Sequence, residues 1–376
     1  MKIGFDAKRI FCNFRGLGNY SRTLVEGLSK YYPNNEYYLF TPEVRDKRSL
    51  TWISRFEQFK VITPVSTKGR AFKSVWRTFG LSKVIRSHKL DIFHGLSHEL
   101  PYSIQSAGCK SVVTIHDLIF IRYPEYFPWL DRKVYMKKFS YAVQNADIVI
   151  AICEQTKRDI IKYLNCPENK IRVVHQSCNP SFYQQSNTKY LNDVRTKFNL
   201  PTQYIFYAGA LEERKNALSL LEAFYLIKDN IKHDLVLVGR GKSYKDKLEC
   251  FIKEKGLSDR VFILSNVEND EMPGMFELAD LFVYPSHFEG WGVPIVEALF
   301  SEVPVITSEG SCFPESGGPK SIYVTPGDVE GLKTEIMKVL SDNDLSSLMK
   351  REGRLFAEQF HQKRTSEALM NLYLDL

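Results

Sequence analysis

The chain runs through one pattern twice. Short runs of β-branched and aromatic residues alternate with stretches of helical spacing. In the first half the runs fall at residues 3–6, 37–40, 92–94, 112–115, 148–150 and 172–174. The series restarts at 204–208 and continues at 235–238, 261–264, 281–284, 303–307 and 322–324. Near-continuous apolar runs separated by helices are what a parallel sheet covered on both faces requires. Residues 21–31, with Leu24, Leu28 and Tyr31 on one face, and residues 155–164 read as two of those helices. Two successive doubly wound sheets follow, with a crevice expected between them. The 376 residues support two domains of about 150–200 residues each. The boundary is placed in the polar, unperiodic segment 177–188, giving domains of 1–182 and 183–355.

The most chemically informative stretch is Glu289-Gly-Trp-Gly-Val-Pro-Ile-Val-Glu297, directly after the strand at 281–284. Strand, glycine turn and helix start form an anion cradle, with N–H groups from Gly290, Trp291, Gly292 and Val293 aimed at a phosphate and aided by the helix dipole. Pro294 suits the first helical position, where its missing N–H has no intrahelical partner. Glu297, one turn in, is placed to accept from a ribose diol, and Glu289 projects toward whatever lies beyond the phosphates.

The pattern E-G-x-G-x-P-x-x-E, followed by Ala298-Leu299 and Val303-Pro-Val-Ile306, resembles the signature of retaining GT-B glycosyltransferases. Within them it is most similar to family 4, which includes bacterial mannosyl-, glucosyl- and rhamnosyltransferases. The resemblance implies two Rossmann-like domains facing a central cleft, with residues 356–376 crossing back as a helix onto the first. It also implies a nucleoside diphosphate sugar as substrate, with no metal and no cofactor.

Further motifs carry the same resemblance. Ala208-Gly-Ala-Leu-Glu-Glu-Arg-Lys-Asn216 resembles the family's G-x-x-x-x-R-K-N segment, in which Gly209 precedes the cations Arg214 and Lys215. A forked guanidinium and a point charge there stabilise the negative charge that grows on the leaving diphosphate. Gly16-Leu-Gly-Asn-Tyr20 resembles the G-I-G-R-Y segment, whose glycines, here Gly16 and Gly18, admit donor phosphates and sugar; Asn19 replaces the commoner Arg. Val112-Val-Thr-Ile-His-Asp-Leu118 puts His116 where the family has an active-site histidine beside the transferred sugar, and Asp117 orients neighbouring N–H groups. His94 and His98 flank another strand end and are candidates for acceptor contact. Gly239, in Val236-Leu-Val-Gly-Arg-Gly241, resembles the nucleotide-contacting turn, and Leu264-Ser-Asn-Val267 would offer backbone groups to the base. The acids of residues 267–271 are expected to cap the following helix.

Other features bound the function. The seven cysteines are an odd set without C-x-x-C, which suggests a reducing cytoplasm and neither a zinc site nor a disulfide framework. Residues 1–6 read as a first strand rather than a signal peptide, and no apolar run approaches the roughly 18 residues of a membrane span. The lone D-x-D, Asp342-Asn-Asp344, lies in a polar helical tail, so a metal-gripping carboxylate pair has no candidate.

The net charge of +7 is uneven: residues 1–182 hold 29 Lys+Arg against 15 Asp+Glu. Between Glu57 and Asp91 lie eight bases (Lys60, Lys68, Arg70, Lys73, Arg77, Lys83, Arg86, Lys89) and no acid, with Phe72, Val75, Trp76, Phe79 and Val84 interleaved. Residues 60–89 therefore read either as a face for an anionic membrane or as a solvated helix face over the core. No nucleic-acid reading motif accompanies the charge.

These readings converge on a cytoplasmic retaining hexosyltransferase, peripheral on the inner face of the cell membrane if residues 60–89 are the membrane face. GDP-mannose is the expected donor, and a growing surface glycan, free or lipid-linked, the expected acceptor. A nucleotide-sugar epimerase and a catalytically silent nucleotide-sugar-binding partner are the alternatives.

Overall fold

The computed structural model describes residues 1–44, 46–64 and 75–376. It divides into two units: residues 1–177 with 362–376, and residues 178–361.

Among the described residues the first unit has seven strands: β1 Lys2–Asp6, β2 Glu36–Phe40, β3 Phe59–Ile62, β4 Ile92–Gly95, β5 Lys110–Ile115, β6 Ile148–Ala151 and β7 Ile171–Val173. Their order is β3-β2-β1-β4-β5-β6-β7, and all pairings are parallel. β4 is buried along its whole length and most of β1 and β5 likewise, which is why their sequences run apolar without alternation. Phe5, Tyr37, Phe40 and Phe93 fill the two faces. The edge strand β3 is absent from the expectation, since FKVI is short and largely half-exposed and merges with the basic run after it.

The second unit carries six strands: β8 Tyr204–Ala208, β9 Asp234–Val238, β10 Val261–Leu264, β11 Leu281–Tyr284, β12 Val305–Ser308 and β13 Ile322–Val324. Their order, β10-β9-β8-β11-β12-β13, is again wholly parallel. Strand order reverses beside β1 in the first sheet and beside β8 in the second. Those switch points are where open α/β sheets bind ligands, outside the carboxyl ends of the strands.

Several expectations need correction. The unit boundary falls after Ser177 and again after His361, so residues 178–182 and 356–361 belong to the second unit. Phe182 accordingly packs edge-on against Phe276. The supposed linker is short, because Asn187 caps a helix at Thr188–Phe198 with its side chain accepting from the Tyr190 N–H. The C-terminal helix is Gln362–Leu374, not 356–376; Phe356 lies in the last turn of the preceding helix, Asn343–Ala357, and Phe360 packs on Trp291. Gln362–Leu374 lies on Gly16–Tyr31, close enough that a Cβ on Gly27 would sit 2.4 Å from Ser366 Oγ.

The basic stretch is not one helix. Lys60 lies in β3 and pairs with Glu36 at 2.5 Å. Arg77 is buried, its guanidinium bound to Asp6 at 2.6 Å and Glu99 at 2.5 Å. Lys83, Arg86 and Lys89 are exposed at the helix Leu81–His88 and its end, while Lys68, Arg70, Phe72 and Lys73 lie outside the described residues.

The acids near the helix Met272–Glu277 do not cap it. Glu271 accepts instead from the Glu268 N–H and pairs with Lys197. Asp342 caps the helix Asn343–Ala357 by accepting from the Leu345 N–H, which accounts for the D-x-D.

Candidate functional site

In the second unit, β8 delivers residues 209–216 and β11 delivers residues 285–292, and the two turns are tied together. The His287 N–H donates to the Arg214 carbonyl at 2.9 Å, and Ser286 Oγ lies 3.1 Å from the same oxygen. Asn216, left-handed with φ 54°, donates from its amide to the Pro285 carbonyl. This lacing fixes the backbone beneath Arg214, Lys215 and Glu289.

The three side chains meet on one atom. Glu289 Oε1 lies 2.5 Å from Lys215 Nζ and 3.0 Å from Arg214 Nη1. It also accepts from Ser286 Oγ at 2.7 Å and from the Tyr284 hydroxyl at 3.1 Å. Burial alone would raise the pKa of this carboxyl, but Lys215 and Arg214 outweigh it and hold it at about 2. Arg214 also binds the Phe288 carbonyl and Glu212. Four donors crowd one carboxylate oxygen, more than its lone pairs take well.

The helix after this turn is Val293–Phe300, so Pro294 occupies its second position rather than the first. The Ile295 and Val296 N–H groups go back to the Gly292 carbonyl, and the Glu289 N–H binds Ser311 Oγ. Pro294 has no N–H, so in the first turn of this helix only the Val293 amide is without an intrahelical acceptor and suits an anion. Glu297 keeps some exposed surface, yet burial of its carboxyl pushes its pKa up to about 8, with no cation nearby to offset it.

Gly209, Gly239 and Leu264 form a second laced set at the ends of β8, β9 and β10. The Gly209 N–H binds the Val238 carbonyl, and the Gly239 N–H binds the Leu264 carbonyl, both at 2.9 Å. A side chain at Gly239 would place Cβ 1.9 Å from the Gly209 carbonyl oxygen, so only glycine permits this approach.

In the first unit, Gly16 and Gly18 do not form a turn before the helix; they are its first residues, since the helix spans Gly16–Tyr31. A Cβ on Gly18 would meet the Asn13 carbonyl oxygen at 1.8 Å, so that glycine serves close packing of the preceding loop. Tyr20 then stands edge-on to His116, ring centres 4.5 Å apart.

His116 is buried, and both its nitrogens are engaged. Nε2 lies 2.9 Å from the Leu96 carbonyl, which fixes the proton there, and Nδ1 accepts from the Gln176 amide at 2.8 Å. Burial pushes its pKa down to about 4, so the ring is neutral. A sugar hydroxyl could reach this imidazole only by displacing one of those partners. Asp117 accepts from the Ile119 N–H, as expected of an orienting carboxylate.

His94 and His98 are not placed for acceptor contact. His94 is fully buried between the Tyr373 hydroxyl at 2.6 Å and Thr114 Oγ1 at 2.8 Å. His98 accepts from the His116 N–H and stacks on Phe139 at 4.4 Å.

A polar group that sequence spacing does not reveal is the chain Asp6–Arg77–Glu99–Lys138 at the ends of β1 and β4. It borders a small cavity with Tyr102 and Tyr141. Asp6 at the tip of β1 was its one readable signal. Tyr284 and Ser286, which complete the Glu289 cluster, look like strand and turn residues in sequence.

Two wholly parallel, doubly wound units, with a cationic pair gathered on a buried glutamate before a helix start, define a GT-B glycosyltransferase architecture. Comparison with known proteins agrees. Residues 14–182 match the model of Glycosyltransferase Family 4, and residues 191–356 match that of Glycosyl transferases group 1. The chain is 28% identical to the O-antigen chain mannosyltransferase B of Escherichia coli, over 99% of both chains. It is also 28% identical to the O-antigen chain mannosyltransferase RfbU of Salmonella typhimurium, over 61% of each. The solved structure of Anabaena Alr3699/HepE in complex with UDP-glucose superposes with a TM-score of 0.77 at 18% identity, covering 100% of both chains. The chain belongs to the group 1, family 4 glycosyltransferases and is an enzyme of that class.

Proposed function

We propose that this enzyme transfers mannose from GDP-mannose, with retention of anomeric configuration, to a saccharide acceptor of a surface polysaccharide, free or lipid-linked. The relatives named as O-antigen mannosyltransferases favour that donor sugar and that kind of product. The observation that carries the reading is the surplus of donors on Glu289 Oε1, which leaves Arg214 and Lys215 ready for phosphate oxygens.

In this account the diphosphate lies against Arg214, Lys215 and the amides of residues 290–293. Glu297 accepts from the ribose hydroxyls, and Glu289 turns toward the donor-sugar hydroxyls as the phosphates take up its cations. The nucleotide base lies against the turn at Gly239 and the backbone after Leu264. As the C1–O bond breaks, charge gathers on the leaving phosphate, where preorganised cations act on it. The acceptor oxygen bonds C1 on the same face, and its proton passes to the departing phosphate. His116 is neutral and held in place by Gln176 and Leu96. No metal or cofactor takes part, and the enzyme acts at the inner face of the membrane.

A thermal-shift screen over GDP-, UDP-, dTDP- and ADP-sugars tests the donor, because a ligand bound only to the folded state raises its melting temperature. The largest shift is expected with GDP-mannose, followed by transfer to added acceptor with the anomeric configuration kept. A larger response to a UDP-sugar would reassign the donor. Isomerised free donor without transfer would point to an epimerase instead.

A further inference from the structure

The second unit buries a hydroxyl that its packing does not need. Tyr284 ends β11 with no exposed surface, and its ring stands among aromatic neighbours: Phe282 at 5.9 Å, Tyr207 at 6.1 Å and Phe313 at 6.5 Å. A phenylalanine would fill the same space. A buried hydroxyl is costly unless it is hydrogen-bonded, so its partners show what it serves.

Those partners are two charged groups of the Glu289 cluster. Lys215 Nζ donates to the Tyr284 oxygen at 2.5 Å, and the hydroxyl donates to Glu289 Oε1 at 3.1 Å. Burial, and after it the charge of Glu289, raises the phenol well above its ordinary pKa of 10. It stays neutral and can donate and accept at once. Other tyrosines buried in this unit serve the backbone instead: Tyr204 donates to the Met275 carbonyl and Tyr207 to the Ala210 carbonyl.

Lys215 is therefore held at two points, the Tyr284 oxygen and the Glu289 carboxylate. An ammonium has three donors, so one is left to meet a ligand. The four-carbon stem of a lysine swings freely, and a contact that fixes its end beforehand removes that ordering cost from binding. In the function proposed above, Glu289 gives way as phosphates take up its cations. The tyrosine ring, locked among aromatic neighbours, cannot follow it.

We infer that the Tyr284 hydroxyl is a positioning group for Lys215, holding the ammonium in place while a diphosphate replaces Glu289. The inference rests on the diphosphate site proposed above and is independent of the base and sugar of the donor.

The test is titration calorimetry with inorganic pyrophosphate, which carries neither base nor sugar. Tyr284→Phe should bind it about five- to tenfold more weakly than the wild type, and Lys215→Ala at least about tenfold more weakly, as losing hydrogen bonds to charged groups implies. The double variant should bind no more weakly than Lys215→Ala alone, because the hydroxyl acts through that lysine. Tyr204→Phe deletes an equally buried hydroxyl. Both tyrosine variants should melt somewhat below the wild type, but Tyr204→Phe should bind pyrophosphate like it, which separates positioning from packing. Wild-type affinity in Tyr284→Phe, losses that add in the double variant, or an equal loss in Tyr204→Phe would each overturn the inference and leave the diphosphate site standing. Wild-type affinity in Lys215→Ala would remove that site and this role with it.

Discussion

The two clusters at the strand tips differ in how far they satisfy themselves. Around His116, donors and acceptors match one to one: Leu96 and Gln176 take the two ring nitrogens, and Tyr373 and Thr114 take those of His94. Around Glu289, four donors compete for one oxygen, two of them cations. A matched network holds its shape and stays neutral, whereas an over-supplied one attracts further acceptors. In the function proposed above, the first cluster positions, and the second binds and reacts.

The largest expected effect breaks the second cluster. Lys215→Ala or Arg214→Ala should each lower turnover by about 10²–10³-fold, the scale for losing one preorganised donor to a developing charge. Steady-state kinetics with saturating donor checks this, and wild-type turnover in either variant would remove the distinction between the clusters.

Glu289 sharpens the comparison through pH. Its folded pKa, about 2, lies below the ordinary value of 4.5, so its stabilisation is full above 4.5 and is lost as pH falls toward 2. Glu289→Gln should lower stability near neutrality by about 3 kcal/mol, because two cations lose their buried partner. The loss relative to wild type should shrink in acid, as read by denaturant unfolding at several pH values.

Glu297 has the opposite sign. Its folded pKa, about 8, exceeds 4.5, so folding favours the protonated acid and wild-type stability drops as pH rises from 4.5 to 8. Donor affinity should improve over the upper part of that range as the carboxylate forms and accepts from ribose. Glu297→Gln should flatten both profiles. A donor KM that ignores pH between 6 and 9 in the wild type would argue against a ribose contact.

The smallest effect concerns the matched cluster. Tyr373→Phe leaves His94 Nδ1 without its hydroxyl partner and should cost about 1–3 kcal/mol of stability. KM for donor should stay unchanged. A selective loss of turnover with full stability would instead give this network a chemical role.

Much of this was legible in the sequence, and the gaps have physical causes. Twelve of the thirteen strands among the described residues announced themselves by apolar runs, which strands buried along their length cannot avoid; the partly buried edge strands β7, β10 and β13 kept such runs as well. The edge strand β3 could vary, so its FKVI carried little signal. Arg214, Lys215 and Glu289 stood out as charges at strand ends, and the structure brings them together. Arg77 misled, because a buried ion pair and a solvated base look alike until Asp6 and Glu99 are placed around it. His94 and His98 misled for the converse reason: a histidine at a strand end reads as a ligand until its hydrogen bonds to the core are seen.

Titration calorimetry of GDP-mannose into the wild type and into Lys215→Ala puts the cationic cluster to its most direct trial. The wild type should bind, and the variant should bind at least about tenfold more weakly, as expected for losing a charge-assisted contact of about 1.5–3 kcal/mol. Equal affinity in the two proteins would contradict the assignment of Arg214, Lys215 and Glu289 as the diphosphate site.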